Sequence, residues 1–591
     1  MPSWTDIKRL VRAVGPMALR AVRTRQLFNP QCRLTAPLED ILCEYDVRVP
    51  MSDGTFVTVN IFRSRTAAAD GERMPAVMCA HPYDNSLIPE LGNTPFNGPP
   101  QQYRMIPQEG DGPTFSTLTS WESPDPNFWV DAGYAVVNMN MPGYASSGGK
   151  PTLFGEDQNR AFAEAIEWVG QQDWCTGGVG LSGVSYLAIS QYGVAAKQSP
   201  HGVPSALKAI CPWEGISDLY QDMFFEGGVE ERGFPTFWWY TEVKPTINCS
   251  EAEFVASEGQ RPHELAQTHP FYDEYWRAKN PDLESIELPM LICASFCDQG
   301  LHTRGSARAF RQARSPNKWL YTHRRLKWDA YYSAEVLQLT RQFFDRFVKG
   351  ENNGFEQKAR VRLEVRSARD TIHEVREESD WPLPQTRYER LYLSASSTLS
   401  PTSSANAAQR SYDAKSGSLR FSFRFEQDTE LSGYMKLRLW VQARGTRPPR
   451  DMAIFVAVDK LDAIGEPVRF YGAVGSHNDT VARGLIQVSR RELDEPRSTE
   501  FEPVLRNQRE LPLQAGEIVP LEIAIQPSST FFCAGEHLQL IIAANVVVAS
   551  HPFVKSTDCN HGVHVVHFGG EYDSHLLIPR IPAAETPTPA G

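Results

Sequence analysis

The sequence predicts a parallel α/β domain that is interrupted by a helical cap and followed by an all-β sandwich of the jelly-roll kind. Between residues 74 and 212, short apolar runs that suit buried strands alternate with helical patterns. Residues 213–287 break this rhythm with dense aromatic side chains, which indicates an insertion. From about residue 360 onward, short segments of alternating polarity are separated by turn residues, as in a β sandwich. Because 591 residues exceed what one hydrophobic core can hold, separate domains are expected.

These patterns set the domain boundaries. We expect the α/β domain at 37–212 and 288–350, on either side of the cap at 213–287. The jelly roll should occupy 383–581, after a connector at 351–382. A helical extension at 1–36 precedes the body, and the proline-containing segment 582–591 predicts a disordered tail.

The first 28 residues are basic and carry apolar residues at helical spacing. The pair Gly15-Pro16 predicts a break or kink, so one or two short helices should pack on the body or on a partner. A transit peptide or a surface-bound helix is an alternative interpretation. Residues 40–63 then suit two antiparallel strands around the turn Ser52-Asp53-Gly54.

Residues 178–189 run from an apolar, glycine-containing strand into an apolar-faced helix, with Ser185 at the junction. A serine on such a sharp turn, with its hydroxyl pushed outward, is typical of a nucleophile elbow. The tight turn needs small neighbours, which Gly183 and Ala188 provide. Ser182 is a rival, but choosing it would start the helix at Gly183 and cut the strand short.

A nucleophilic serine needs a base and a group that orients the base. In a sheet of this kind the acid and then the histidine follow on loops after later strands. Asp298 follows the strand at 288–295, and His323 follows the strand at 318–322, so these two residues are predicted to complete a triad with Ser185. The rival histidine nearby is His302, which falls a few residues into a predicted helix.

Acyl transfer also needs donors for the developing oxyanion. The backbone N–H of Tyr186, directly after the nucleophile, is one donor. The loop that should supply the second contains His81-Pro82-Tyr83, and Pro82 has no N–H to offer. We therefore predict that the phenol of Tyr83 serves instead.

Several motifs together resemble the cocaine esterase/X-Pro dipeptidyl-peptidase family. They are Gly183-Val184-Ser185-Tyr186-Leu187, His81-Pro82-Tyr83-Asp84, Pro212-Trp213-Glu214-Gly215 and the run 343–350. The resemblance covers about residues 40–581 and implies a serine hydrolase with an α/β-hydrolase domain, a helical cap and a C-terminal jelly roll. It also implies Ser185, Asp298 and His323 as the triad, and Tyr83 with the Tyr186 N–H as the oxyanion hole. Ala188 stands where the family usually has glycine, and Asn140-Met141-Pro142-Gly143 replaces the usual Asp-x-Arg-Gly.

The resulting hypothesis is hydrolysis of a carboxylic ester or amide through an acyl-enzyme. The aromatic cap favours a bulky apolar acyl group, with pocket residues expected to be Trp213, Phe224, Phe225, Phe237 and Trp238. An X-Pro dipeptidyl peptidase and a β-lactam or amino-ester acylase are alternatives, and Glu226, Glu230 and Glu231 could then hold a substrate amine or simply form a solvated helix face. A different class of function is a non-catalytic protein that binds through its jelly roll.

Composition narrows the partners. A formal net charge of -12 argues against general nucleic-acid binding. The ten cysteines show no tight paired spacing, so we expect a reduced, cytoplasmic chain without a metal or other cofactor. No apolar run approaches the roughly 18 residues that a membrane span needs. The expected partner is a small ester or amide substrate. The chain could also bind further copies of itself and form a homo-oligomer.

Overall fold

A computed structural model describes residues 3–88, 101–197, 201–445 and 449–582. The predicted tail at 582–591 therefore lies outside the described residues, apart from Pro582. The helices of the chain are α1 Trp4–Arg23, α2 Arg65–Asp70, α3 Gln101–Met105, α4 Pro126–Asp131, α5 Glu156–Gly170, α6 Tyr186–Ala195, α7 Phe234–Trp238, α8 Glu251–Glu258, α9 Leu265–Thr268, α10 Glu274–Lys279, α11 Thr303–Gln312, α12 Lys327–Tyr331 and α13 Ala334–Phe347.

The first domain is built on one mixed sheet. Its strands are β2 Ile41–Pro50, β3 Phe56–Ser64, β4 Met74–His81, β6 Ala135–Asn140, β7 Cys175–Val184, β8 Leu207–Trp213, β9 Met290–Ser295, β10 Lys318–His323, β11 Val361–Ala368 and β12 Thr371–Glu378, while β1 Arg33–Thr35 and β5 Thr114–Ser116 form a separate parallel pair. The spatial order is β2-β3-β6-β4-β7-β8-β9-β10-β11-β12, parallel from β6 to β11 and antiparallel at both edges. This is the α/β-hydrolase arrangement that the alternating pattern predicts.

Alternation along the buried strands gives the sheet two apolar faces. Val77, Val136 and Leu291 pack toward α4 and α13 on one face. Met78 and Ile292, one residue further along their strands, pack toward α5, α6 and α11 on the other. The carboxyl ends of the parallel strands therefore lie on one side of the domain, where the loops after β7, β9 and β10 meet.

The expected connector at 351–382 contributes to the sheet. It forms β11 and β12, and β11 pairs in parallel with β10 through Leu320 and Val361. The alternating polarity of these two strands reflects their position at the edge of the sheet, where β12 is largely exposed.

The cap between β8 and β9 is mainly helical, as expected. It contains α7 to α10, π-helical turns at Tyr220–Phe224 and Trp239–Val243, and short 3₁₀ turns at Glu226–Gly228, Lys244–Thr246, Pro262–Glu264 and Leu283–Ser285.

The C-terminal domain is an all-β sandwich, which confirms the predicted jelly-roll class. Its strands are β13 Arg387–Leu393, β14 Leu399–Ser400, β15 Ala408–Asp413, β16 Ser418–Arg424, β17 Thr429–Arg444, β18 Ala453–Leu461, β19 Pro467–Val468, β20 Phe470–Gly472, β21 Ser476–Asp479, β22 Ala482–Gln487, β23 Val519–Phe532, β24 His537–Ala543, β25 Val563–Phe568 and β26 His575–Ile581. The long strand β17 pairs with β23, β25 and β26, and β24 joins β16 to β18. Every second residue of these strands, such as Leu437, Ile523 and Leu540, enters one core.

The N-terminal segment forms one continuous helix, whereas the sequence predicted a break at Gly15-Pro16. Pro16 lies inside α1 and faces solvent. It therefore removes a backbone hydrogen bond from the helix but does not disturb the packed face. Ala13, Met17 and Ala21 form that buried face against α3 and α7. A capping box between Ser3 and Asp6 closes the first turn. Among the described residues, no helix is long and apolar enough to cross a membrane.

Candidate active site

Ser185 lies at the turn between β7 and α6. Its backbone has φ 59° and ψ -113°, a left-handed conformation that costs a non-glycine residue free energy. Gly183 has φ 151°, and a Cβ at that position would lie 2.5 Å from the Cβ of Leu187. Ser182 is still within the strand, and its Oγ lies 3.0 Å from the phenol oxygen of buried Tyr331. The serine that the turn presents at the carboxyl end of β7 is therefore Ser185.

The ring of His302 faces Ser185. The Oγ of Ser185 lies 3.1 Å from His302 Nε2, and His302 Nδ1 lies 2.5 Å from Asp298 Oδ2. Asp298 follows β9, and its carbonyl oxygen accepts the N–H groups of Leu301, His302 and Thr303 at 3.0–3.2 Å. This tight turn holds the Asp298 and His302 side chains together at the start of α11. The three groups form the chain of contacts that a serine nucleophile, a base and an orienting carboxylate need.

His323 is not brought to Ser185. Strand β10 continues to residue 323, one residue further than the sequence predicts, so the His323 ring stays within the sheet and stacks on Trp213 at 5.7 Å between ring centroids. Its Nε2 lies 3.0 Å from Glu214 Oε1, but the geometry is not that of a hydrogen bond, and neither ring nitrogen has a hydrogen-bond partner among the described residues. The sheet thus places His323 beside the Glu214 carboxylate, and no hydrogen bond joins His323 to Ser185 in the described part of the chain.

Lys327 is the first residue of α12 and directly follows the loop after β10, where the sequence predicts the base. Its Nζ lies 2.6 Å from Asp298 Oδ2 and 3.0 Å from His302 Nδ1. Burial raises the pKa of Asp298, but the Lys327 charge and the hydrogen bonds from His302 and Lys327 outweigh burial and hold that pKa below its ordinary value. Burial lowers the pKa of His302, and the Lys327 charge lowers it further. His302 is therefore kept neutral, with a lone pair available.

The loop after β4 places Tyr83 beside this group. The Tyr83 phenol oxygen accepts a 3.0 Å hydrogen bond from Trp238 Nε1, which leaves the phenol O–H free to donate. Burial, followed by the charges of Glu242 and Glu122, raises the pKa of Tyr83 well above its ordinary value, so the phenol stays protonated.

Asn85 fixes the Tyr83 loop in this chain, where Pro142 stands in place of the arginine in the family's Asp-x-Arg-Gly pattern. The Asn85 backbone N–H donates to Asn140 Oδ1 at 2.7 Å, and the Asn140 amide returns a bond to Asn85 Oδ1 at 2.9 Å. The Asn85 amide also donates to the Asn138 carbonyl at 2.9 Å. Tyr186, directly after the serine, is the first residue of α6, so its N–H belongs to the first-turn groups without an intrahelical acceptor.

A cavity of about 60 Å³ lies over Ser185. Of the five aromatic residues expected in the pocket, Phe237 and Trp238 line it. The other three pack elsewhere: Trp213 lies against His323, Phe224 against Trp276, and Phe225 against Tyr220. The cavity is therefore formed by two of the five expected aromatic residues, by other cap residues such as Met223 and Phe234, and by residues from outside the cap.

Two carboxyl groups that the sequence did not indicate also line the cavity, those of Glu122 and Glu242. Burial raises the pKa of Glu122 to about 8 and that of Glu242 to about 7. A second cavity of about 270 Å³ shares Ile106, Phe237 and Glu242 with the first and reaches Met17 of α1.

Comparison with known proteins supports the resemblance found in the sequence. Residues 53–327 match the family model named X-Pro dipeptidyl-peptidase (S15 family). Residues 353–577 match the family model named X-Pro dipeptidyl-peptidase C-terminal non-catalytic domain. A solved CocE/NonD family hydrolase from Staphylococcus aureus is 34% identical, with a TM-score of 0.80 over 92% of this chain and 94% of that one.

The chain belongs to the CocE/NonD hydrolase family. The cocaine esterase of Rhodococcus sp. (strain MB1 Bresler) is 23% identical over 91% of this chain and 98% of its own length. A solved α-amino acid ester hydrolase, 16% identical with a TM-score of 0.65, covers 92% of this chain and 97% of its own, and it shares the fold. This CocE/NonD chain is thus a serine hydrolase with the predicted domain order.

Within the described part of this CocE/NonD hydrolase, two residue sets bring metal-ligand types together, with ligand atoms within 4.8 Å of one another: Glu214, Cys293 and His323, and Glu214, Asp298 and His302. In the second set the Lys327 ammonium already occupies Asp298 Oδ2. In the first, burial raises the pKa of Cys293 well above its ordinary value, which disfavours the thiolate that metals bind. Neither set fits a metal ion well.

The acidic cap residues serve a contact between domains. Glu226 is buried and lies 3.3 Å from the Lys555 ammonium of the jelly roll and 3.0 Å from the Arg304 guanidinium. Glu231 accepts the Val554 N–H at 2.8 Å, and Glu230 pairs with Arg232. The predicted solvated face is wrong for Glu226 and Glu231, which are almost fully buried. These carboxylates already have cationic or N–H partners, and Glu226 and Glu231 fasten the cap to the jelly roll.

Proposed function

We propose that this serine hydrolase cleaves carboxylic esters through an acyl-enzyme on Ser185, with His302 as the base and Asp298 as its orienting carboxylate. The observation that carries the proposal is the continuous contact from Ser185 Oγ through the His302 ring to Asp298. The role that the sequence gave to His323 passes to His302, because His302 lies within proton-transfer distance of the nucleophile.

The chemistry follows from these positions. Asp298 accepts the Nδ1–H of His302, which leaves the Nε2 lone pair directed at Ser185. The Oγ of Ser185 attacks the substrate carbonyl carbon while its proton passes to Nε2. When the ester C–O bond breaks, the imidazolium returns that proton to the departing alkoxide. Water then attacks the acyl-enzyme by the same route, and the carboxylic acid leaves with Ser185 restored.

The oxyanion of each tetrahedral intermediate would accept hydrogen bonds from the Tyr186 N–H and the Tyr83 phenol. Tyr83 suits this role because Trp238 occupies its oxygen as a donor, which directs its own hydrogen elsewhere. Burial of both donors strengthens their interaction with a developing charge.

The acyl group is expected to be bulky and apolar. The cavity over Ser185 has mainly apolar walls, with Phe237 and Trp238 from the cap. That cavity alone is small, so a long acyl group would extend past Ile106 and Phe237 into the adjoining cavity toward Met17. A panel of p-nitrophenyl esters of graded acyl length tests this, with the expected rise in kcat/KM continuing beyond butyrate. A steady fall from acetate onward would refute the apolar acyl assignment.

The nucleophile is tested separately with a fluorophosphonate probe. Ser185→Ala should abolish both the covalent adduct and ester turnover, whereas Ser182→Ala should retain both. An adduct that maps to Ser182 would refute the assignment.

A second candidate is a substrate that bears an amine, as in an X-Pro dipeptidyl peptidase or a β-lactam or amino-ester acylase. The observation that favours it is the pair of carboxyl groups, Glu122 and Glu242, in the cavity wall. Gly-Pro-p-nitroanilide, assayed beside the ester panel, distinguishes the two candidates. Turnover of this amide that exceeds the best ester, and that rises as these carboxyls ionise, would favour the amine-bearing substrate.

A further inference from the structure

Helix α1 has two apolar faces, and the fold covers one of them. The covered face contains Ala13, Met17 and Ala21, and Asp6 anchors it by accepting the Tyr240 hydroxyl at 3.1 Å. On the outer face the side chains of Trp4, Val11, Leu19 and Val22 are 70%, 64%, 52% and 50% exposed. Since successive residues turn by about 100°, Trp4, Val11 and Val22 fall on one line along the helix, with Leu19 about 60° away.

Cations accompany this apolar line. Lys8, Arg12 and Arg23 are exposed and lie along one edge of it, and the Lys8 ammonium is 5.9 Å from the Trp4 ring centroid. Arg25 and the 54% exposed Phe28 continue the same composition beyond the helix. The only acidic residue of α1 is Asp6, which is buried against the cap.

An exposed row of large apolar side chains indicates an interaction surface. A second copy of the chain is a poor occupant, because an antiparallel two-fold contact would set the cationic edge of one helix against that of the other. A nucleic acid would leave the apolar row unburied. An anionic lipid surface satisfies both features, since headgroups attract the cations and the interfacial layer accepts tryptophan and aliphatic side chains.

We propose that the outer face of α1, formed by Trp4, Lys8, Val11, Arg12, Leu19, Val22 and Arg23, docks the protein on an anionic membrane surface. The rest of the chain carries a strong negative charge, for a net charge of -12 overall, so the membrane would repel other orientations. Docking would hold α1 parallel to the surface, with its inner face still packed on the cap.

The test uses the full chain and vesicles of phosphatidylcholine, with or without one third phosphatidylglycerol, in a flotation assay. We expect the chain to float with the anionic vesicles and to remain unbound with the neutral ones. Binding should weaken with added salt. Neutralisation of the edge in Lys8→Gln/Arg12→Gln/Arg23→Gln should weaken binding about a hundredfold, since each cation near the surface contributes roughly a factor of five.

Two further variants distinguish docking through α1 from nonspecific adsorption to the vesicles. Val11→Ser/Leu19→Ser/Val22→Ser should abolish flotation, while Ile372→Ser/Val375→Ser, which alters exposed apolar residues of β12, should leave it unchanged. Quenching of tryptophan fluorescence by brominated lipid should be lost in Trp4→Phe. Absence of flotation of the parent chain, or equal loss in the β12 variant, would overturn the proposal. Self-association that the α1 variant abolishes, without vesicle binding, would overturn it in favour of a dimer.

Discussion

The choice between two buried histidines decides how this active site works, and paired substitutions can settle it. His302→Asn keeps a polar side chain beside Asp298 but cannot take the Ser185 proton. His323→Asn removes the ring beside Glu214 and leaves the nucleophile untouched. Both rings are 1% exposed, so each substitution acts on a comparable buried position.

We expect His302→Asn to lower turnover and His323→Asn to lower the free energy of unfolding. Loss of the base from a serine triad lowers kcat by roughly 10⁴–10⁶-fold, equivalent to about 5–8 kcal/mol of transition-state stabilisation. In His302→Asn, Asp298 keeps its 2.6 Å contact with Lys327, so the free energy of unfolding should change little. In His323→Asn, the smaller side chain loses the ring packing on Trp213, and the cost should fall on folding, at about 1–3 kcal/mol.

The assay is single-turnover release of p-nitrophenol from a short acyl ester, beside calorimetric Tm values for the parent chain and both variants. His302→Asn should lose turnover with a near-parental Tm, and His323→Asn should keep turnover within about tenfold with a lowered Tm. The opposite pattern, with turnover lost in His323→Asn and kept in His302→Asn, would refute the assignment of the base.

Three further predictions concern the groups around this centre. Tyr83→Phe should lower kcat roughly 100–1,000-fold with little change in KM, because the phenol bond strengthens only in the transition state; an unchanged kcat would place the second oxyanion donor elsewhere. Lys327→Met should raise the pKa of His302 by removing a charge that lowers it, so the acid limb of the kcat/KM profile should move to higher pH, and a stationary limb would show that Lys327 has no electrostatic role. Burial raises the pKa of Glu122 from 4.5 to about 8, so its contribution to stability is fully present below pH 4.5 and is lost as the pH rises toward 8. Glu122→Gln should flatten the corresponding fall in Tm, a loss of about 5 kcal/mol in the parent chain, and an identical pH dependence in calorimetry would contradict this.

The sequence predicted most of the fold because strand and helix periodicity is local. The proposed nucleophile, Ser185, could be found for the same reason, since the strand, the small residue Gly183 and the helix are adjacent in the chain. The proposed base, His302, could not be found this way. Extension of β10 by one residue turns His323 into the sheet, and that single step is beyond what a propensity pattern resolves.

A local signal for His302 was nevertheless present. The four-residue spacing between Asp298 and His302 at the start of a helix allows their side chains to meet. Lys327, Glu122 and Glu242 gave no such signal, because they approach the site from distant loops and only the assembled fold brings them together. The continuous helix through Pro16 shows the same limit, since packing on the cap outweighs the helix-breaking tendency of proline.

The joint between cap and jelly roll has a consequence for how the protein opens. A Cβ at Gly227 of the cap would lie 1.9 Å from the Leu485 carbonyl oxygen, and one at Gly233 would lie 2.0 Å from that of Pro552, so backbone meets backbone without room for a side chain. A hinged movement of the cap would break this contact and the buried Glu226–Lys555 pair, so its free-energy cost is high. We therefore expect heating to melt the cap and the β sandwich in one cooperative transition.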